Sequence, residues 1–268
     1  MTSTIKVRSS SWGRLFDCAY AWQGVNLLGM RSPSSPRALL GTAVHAGTAA
    51  FDTARVLGQP ISPFDAAEAL VNTLRNPGED VNWRGSDISL NDAERIALNL
   101  HGEYCNRWSP RYEFQAVELT TKPLVIDCGG GQFVELTGTL DRSRIIATTG
   151  RPRIADVKTG RVAVSDGVAK TKGHAAQTGT YIILYEHTTG EQVDDVAEII
   201  GMKTSGKPEI ATGTIAGAKQ MMLGTEEYPG LIEIAASMFR TGLFPPNPQS
   251  QLCSERYCPR WKKCPYHQ

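Results

Sequence analysis

Residues 132–160 read QFVELTGTLDRSRIIATTGRPRIADVKTG, and this stretch decides the fold class. Two β-rich runs, QFVELTGTLDRSRII (132–146) and PRIADVKTG (152–160), flank a turn rich in Thr, Gly and Pro, the pattern of a hairpin. Asp141 ends the segment ELTGTLD, and Asp156 stands two residues before Lys158. Side chains alternate along a strand, so Asp156 and Lys158 face the same side. Pairing of the two runs through the turn near Thr149 and Gly150 brings Asp141 and Asp156 together, with Lys158 beside them. Such a pair of carboxylates suits a hard divalent cation, Mg²⁺ or Mn²⁺, which takes oxygen ligands and keeps positions open for water. Standing alone, an Asp-x-Lys pair on a strand is an ordinary solvated face, so the rest of the chain has to decide between the two readings.

Outward from this hairpin, EFQAVELTTKPLVID (113–127) and DVAEIIGMK (195–203) are further strand-like runs, and a glycine cluster at 129–131 marks a turn. The first third is helical in pattern. Residues 9–28 read as a helix opened by serines, with Leu15, Cys18, Ala19 and Trp22 on one apolar face; the loop SPSSP (32–36) follows, then a helix over 37–58 that carries His45. Helical patterns also cover 63–75, 90–108, 169–188 and most of 213–241, and the tail from Phe244 is rich in Pro, Cys and aromatic residues. The sequence therefore predicts an α/β fold with a central mixed β-sheet flanked by helices, a helical cap and a cysteine-clasped C-terminal tail. With no repeat and no clear linker, it predicts a single domain over residues 1–268: about 9–110 helical, 111–205 the catalytic sheet and helix, and 206–268 a helical part ending in the cysteine tail.

Composition excludes less than it decides. The chain has 268 residues, 41% of them hydrophobic, enough for a sizeable core. Its 28 basic and 27 acidic residues leave a net charge of +1, so overall charge points to no polyanion. With no secretory-type leader and no apolar run of roughly 18 residues, the expectation is a cytoplasmic protein without membrane spans. Thiols in such a compartment stay reduced, so the six cysteines raise metal binding before disulfides. Cys105 lies in a helical pattern and Cys128 beside the glycine turn, whereas Cys253, Cys258 and Cys264 crowd into the last sixteen residues with ligand-like spacing. A four-ligand site needs one more thiol, and Cys18 is the natural candidate.

Four motifs occur in order: GTAVHAG with His45, GTLDR with Asp141, DVKTG with Asp156 and Lys158, and QTGTY with Gln177 and Tyr181. In this the sequence resembles the RecB-like branch of the PD-(D/E)XK nuclease superfamily. The resemblance implies that His45, Asp141, Asp156 and the backbone carbonyl of Val157 bind the catalytic metal, and that Lys158 positions or deprotonates the attacking water. It also implies that Gln177 and Tyr181, at i and i+4 of one helical face, border the substrate channel. A histidine ligand favours Mn²⁺ relative to Mg²⁺. The plain alternatives are a core histidine for His45 and a core aromatic for Tyr181. The implied activity is a DNA exonuclease of recombination, repair or replication, acting on ends or single strands. With no helicase motif, it would be a stand-alone nuclease, or a subunit that borrows a helicase, annealing protein or other recombination partner. A phage-encoded enzyme acting in the host cytoplasm suits its size. The alternatives are an endonuclease, an end-trimming nuclease of CRISPR adaptation, or an inactive metal-stapled DNA-binding subunit.

Within that superfamily, AddB-type helicase-nucleases and the iron-sulfur nucleases of CRISPR adaptation place one cysteine before the nuclease core and three after it, holding a four-iron four-sulfur cluster. The layout of Cys18, Cys253, Cys258 and Cys264 resembles that subset, with four residues between Cys253 and Cys258 where the subset more often has two. Structural zinc is the competing occupant, since four thiolates also make a closed tetrahedral site. Arg256, Arg260, Lys262 and Lys263, with Tyr257 and Trp261 among them, form a basic patch that either contacts phosphates and stacks an unpaired base or is a solvated rim.

Overall fold

The computed structural model describes residues 2–267. The chain opens on strand β1 (Ser3–Arg8), and a 3-10 turn leads into α1 (Trp12–Asp17) and α2 (Ala19–Asn26). Three longer helices follow: α3 (Pro36–Val56), α4 (Pro63–Arg75) and α5 (Leu90–Glu103). Next come β2 (Phe114–Thr120), β3 (Leu124–Asp127), β4 (Gln132–Thr137), β5 (Thr139–Ile145) and β6 (Pro152–Gly160). A small hairpin, β7 (Val164–Ser165) with β8 (Val168–Ala169), precedes α6 (Ala175–Thr189). The chain closes with β9 (Val196–Lys203), β10 (Glu209–Ala216), α7 (Ala218–Leu223), α8 (Leu231–Thr241) and the tail.

Five strands form the central mixed sheet in the order β10-β9-β6-β5-β2, with β6 and β9 parallel and the other neighbours antiparallel. Helices cover both faces. Ala155 and Val157 of β6 pack into a core with Leu40, Val44 and Leu70 under α3 and α4, whereas Ile154 packs with Tyr181, Ile182 and Tyr185 of α6. This is the α/β architecture the sequence predicts. A second sheet, ordered β1-β4-β3, stands beside it.

Helix α3 sets the height of everything above β6. Ser35 caps it, its hydroxyl accepting from the Ala38 N–H at 3.2 Å, with Pro36 at the first helical position. One turn in, a Cβ on Gly41 would stand 2.6 Å from Thr159 Oγ1, so only a glycine lets the helix lie this close on the end of β6. His45 follows one turn later.

A buried ion network then fixes α3 against β5. Arg142, with no exposure, donates from Nε to Asp52 Oδ2 at 2.7 Å, from Nη1 to the Asp141 carbonyl at 2.7 Å and from Nη2 to Thr48 Oγ1 at 3.3 Å. Tyr104 and Ser109 donate hydroxyl protons to the same Asp52 carboxylate at 2.7 and 2.5 Å.

One strand lies outside the expected elements, and three expectations need correction. Residues 3–8 form a strand, because β1 pairs in parallel with β4, about 130 positions away in sequence, and nothing local announces it. The helix expected over 9–28 is broken at Cys18, extended at φ −149° and ψ 94°, where Tyr20 N–H donates to Pro245 O and Asn247 N–H to Cys18 Sγ. The run 132–146 is two strands in different sheets, divided at Gly138. Residues 209–216 form β10, paired at every position with β9, and Ala169 belongs to β8, so the helices begin later than expected, at Ala218 and Ala175.

The Asp52–Arg142 pair yields a stability prediction. Asp52→Ala strands a guanidinium of no exposure, which costs about 3–5 kcal/mol when a buried pair loses one partner. Urea unfolding of the variant should show that loss, and a change under about 1 kcal/mol would contradict the role given to the pair.

Candidate active site

The hairpin of β5 and β6 pairs Arg142 with Ala155 and then opens, so that the Val157 N–H, free of the ladder, donates to Asp141 Oδ2 at 2.8 Å. Asp141 is thereby held at the mouth of the splay. His45 leans in from α3 with Nδ1 3.5 Å from the same oxygen. Glu118 of β2 completes a group, its carboxylate, that of Asp141 and the His45 imidazole all offering ligand atoms within 4.8 Å of one another. Asp156 lies alongside, fully buried: Oδ2 stands 2.5 Å from Lys158 Nζ, and Oδ1 accepts from Gln177 Nε2 at 3.3 Å. The Gln177 amide also donates to the Tyr181 hydroxyl at 3.1 Å. The structure thus gathers His45, Asp141, Asp156, Val157, Lys158, Gln177 and Tyr181 around one hairpin end, with His45, Asp141 and Glu118 nearest to a shared centre.

Electrostatics at this spot favour a cation. Burial, and next the charge of Asp141, push the Asp156 carboxyl up to about 7, although Lys158 pulls it down. Burial and then Asp141 likewise raise Glu118. Burial holds the His45 imidazole below its usual range against the opposing pull of Asp141, so it is neutral and able to ligate at pH 7. Asp156 Oδ2 accepts no well-directed hydrogen bond despite its burial. An imidazole nitrogen and carboxylate oxygens form a donor set that fits Mg²⁺ or Mn²⁺.

Glu118 escapes a sequence reading. In EFQAVELTT it is one polar residue of an alternating strand. Its backbone sits at φ 48°, an uncommon conformation for a residue with a side chain, and the registered pairs Val117–Arg142 and Leu119–Leu140 skip it and Asp141. That kink turns its carboxylate to the Arg142 guanidinium at 3.3 Å and to the site.

Apart from this group, Cys18, Cys253, Cys258 and Cys264 line one cavity with Tyr20, Asn247 and Trp261. Burial, followed by the charges of the other three cysteines, raises the Cys253 thiol. Among the described residues, no three of these sulfurs stand within 4.8 Å of one another, so they ring the cavity. Cys105 and Cys128 lie elsewhere, in the cores beneath α5 and near α8. Of the basic patch, Arg260 is taken up structurally: its guanidinium lies 3.4 Å from the Tyr20 ring centre and donates to Tyr20 O and Gln23 Oε1. Trp261 tilts against His267, ring centres 4.8 Å apart.

The family model of the PD-(D/E)XK nuclease superfamily matches residues 10–265. The chain belongs to this superfamily. Among solved structures, this nuclease chain is similar to a crystal structure from Eubacterium rectale described as a "putative exonuclease", at 12% identity and a TM-score of 0.51, covering 90% of this chain and 83% of the other. At that identity the likeness is one of fold. No curated protein matches. Superfamily nucleases use divalent metals, and His45, Glu118 and Asp141 could hold one. Among the described residues, no helix of the nuclease is long and apolar enough to cross a membrane.

A cation seated among His45, Glu118 and Asp141 would draw the proton from Asp156, which titrates near 7 without it. The sign follows: below that pH the proton competes with the metal, above it the carboxylate is already ionised. Apparent Mn²⁺ affinity should weaken by up to about tenfold per pH unit below 7 and level off above about 8. Calorimetry at pH 6 in buffers of different ionisation enthalpy should register proton release, and an affinity flat from pH 5.5 to 8 would contradict this linkage.

Proposed function

We propose that this chain is a metal-dependent deoxyribonuclease, acting as an exonuclease on DNA ends or single strands in recombination, repair or replication, within one nuclease domain spanning 1–268. The observation that carries the reading is the meeting of the Asp141 carboxylate with His45 and the Val157 N–H, beside the Asp156–Lys158 pair. The exonuclease mode draws support from the name of the similar Eubacterium rectale protein and from the RecB-like order of motifs. A cytoplasmic setting and a helicase or annealing partner belong to the same proposal.

His45, Asp141, Asp156 and the Val157 carbonyl would hold the cation, with Glu118 as an added carboxylate. When bound, a divalent ion supplies positive charge against a phosphodiester oxygen and lowers the pKa of water. Lys158 Nζ, tethered 2.5 Å from Asp156, either stands as an ammonium where negative charge gathers on the phosphate and positions the attacking water or, as the free amine, takes that water's proton. Gln177 fixes Asp156 through Oδ1 and ties it to Tyr181, which lines the groove next to Thr120 and Thr139.

Incubation with end-labelled linear and circular DNA in Mn²⁺ and Mg²⁺ tests the reading. Linear DNA should be degraded and covalently closed circles spared; cleaved circles would move the enzyme to the endonuclease class. Asp156→Ala or Lys158→Ala should lower the rate at least about 1000-fold, with the wild-type circular dichroism spectrum retained. Full activity in either variant would remove the site assignment.

We also propose that Cys18, Cys253, Cys258 and Cys264 hold a four-iron four-sulfur cluster. One thiol far before the nuclease core with a trio after it is the layout that favours a cluster over tetrahedral zinc, the competing occupant. A cluster would act as a structural clip. Protein purified without oxygen should be brown with visible charge-transfer absorption, and Cys258→Ala should lose both the colour and several degrees of Tm. A colourless protein holding one zinc per chain would establish the competing metal.

A further inference from the structure

The arginine left most conspicuously without work in the tail is Arg256. It has no anionic partner among the described residues; its guanidinium lies 5.4 Å from the ring centre of the exposed Tyr257. The fold sets this pair against the start of α3 and the exit of β6, where Ser35, Arg37, Asp87, Arg161, Arg256 and Tyr257 line one cavity of about 330 Å³. The charges there do not balance. Asp87 is shared, 2.6 Å from Arg37 Nη2 and 3.0 Å from Arg161 Nη1, so three guanidiniums face one carboxylate. Arg37 Nη1, shut off from solvent, has no acceptor among the described residues. Planar donors in excess over acceptors, with an open aromatic face, call for an anion of several oxygens that carries a flat group nearby.

Its place relative to the active site narrows the ligand. Arg37, Gly41 and His45 succeed one another at four-residue spacing on α3, and Gly41 touches Thr159, two residues after Val157 and two before Arg161. The cavity therefore lies about 12 Å along α3 from His45, eight residues at 1.5 Å each. That is a few nucleotides along one strand. Beyond it, Arg31, Lys262 and Lys263 line an adjoining trough of about 530 Å³ against the same tail; Glu255 is its acidic member and lies 3.7 Å from Lys262.

We infer that this seam binds single-stranded DNA, a phosphate of the strand seated between Arg37, Arg161 and Arg256 and a base stacked on Tyr257. The inference rests on the nuclease reading for the identity of the polyanion. It also gives the cysteine clip a consequence: Tyr257 directly precedes Cys258, so whatever binds that thiol also sets the position of the stacking ring and of Arg256.

Binding of a labelled oligonucleotide, measured by anisotropy in EDTA, needs no cleavage. Arg256→Ala should weaken single-strand affinity about 5–10-fold at 0.1 M salt and lower the slope of log affinity against log salt by about 0.7, the signature of one lost phosphate on a single strand. Tyr257→Ala should weaken binding with an unchanged slope. In Mn²⁺, hydrolysis of bis(4-nitrophenyl) phosphate, which has no flanking phosphate, should be unchanged in Arg256→Ala while KM for the oligonucleotide rises. Oligonucleotides with and without terminal phosphates separate the two sources of the anion: equal binding places an internal diester in the seam, dependence on the end group a terminal monoester, and both support the site. Wild-type affinity and slope in an Arg161→Ala, Arg256→Ala double variant would overturn it, as would tighter binding of blunt duplex than of single strand. A wild-type protein that binds the oligonucleotide yet cleaves nothing would defeat the nuclease reading and leave the seam standing.

Discussion

One guanidinium governs the geometry of this protein. Arg142 neighbours Asp141 in sequence, yet its side chain runs the other way, into a dry pocket under α3. There it reaches Asp52 and Thr48, seven and three residues beyond His45 on the same helix. A buried charge of this kind tolerates little displacement, because its desolvation is offset only while its bonds stay well formed. The helix that carries His45 and the strand that carries Asp141 are thus locked together by the chemistry of a third residue. The 3.5 Å between imidazole and carboxylate follows from that lock.

Against this rigid frame, the site above it is electrostatically unfinished. Asp141 and Asp156 crowd their negative charges where water is scarce, with the more exposed Glu118 beside them, and Lys158 and Arg142 compensate only in part, so desolvation and the charge of Asp141 still raise Asp156 and Glu118. A protein built for stability alone would replace such residues by apolar ones of similar volume. Their retention makes sense when a divalent cation relieves the repulsion, because binding free energy then adds to folding free energy. The kinked backbone at Glu118 fits the same economy, a local strain carried at the site and held in place by the Arg142 contact.

Much of this arrangement is legible in the sequence because it is local. Asp156 and Lys158 face one way through strand alternation, and Gln177 and Tyr181 through helical spacing, so each pair can be put on a shared face before any tertiary contact is known. What eludes reading depends on distant partners. Strand β1 exists because β4 offers a parallel edge, the break at Cys18 because the Pro245–Asn247 segment bonds across it, and the placement of Glu118 because of a backbone angle that no residue pattern encodes. Arg260 shows the same limit, since a basic residue in a basic patch is spent on Tyr20 and Gln23 while its neighbour Arg256 stays free.

Cys18 and Cys253 are joined by a chain of more than two hundred residues that contains the entire catalytic sheet. Closing a loop of that length removes about 5 kcal/mol of chain entropy from the unfolded state by the estimate used for cross-links, comparable with the whole stability of many domains. The clasp already has a non-covalent frame: Asn247 Nδ2 donates to Asp17 O at 2.9 Å, and Ser250 Oγ to Asp17 Oδ2 at 2.6 Å. These few half-buried bonds would open readily without a stronger tie. A group bound by the four thiolates would convert that loose seam into a fixed edge. Because Arg256 and Tyr257 hang from it, such a bond would also decide whether a basic, aromatic surface stands ready two helical turns from His45.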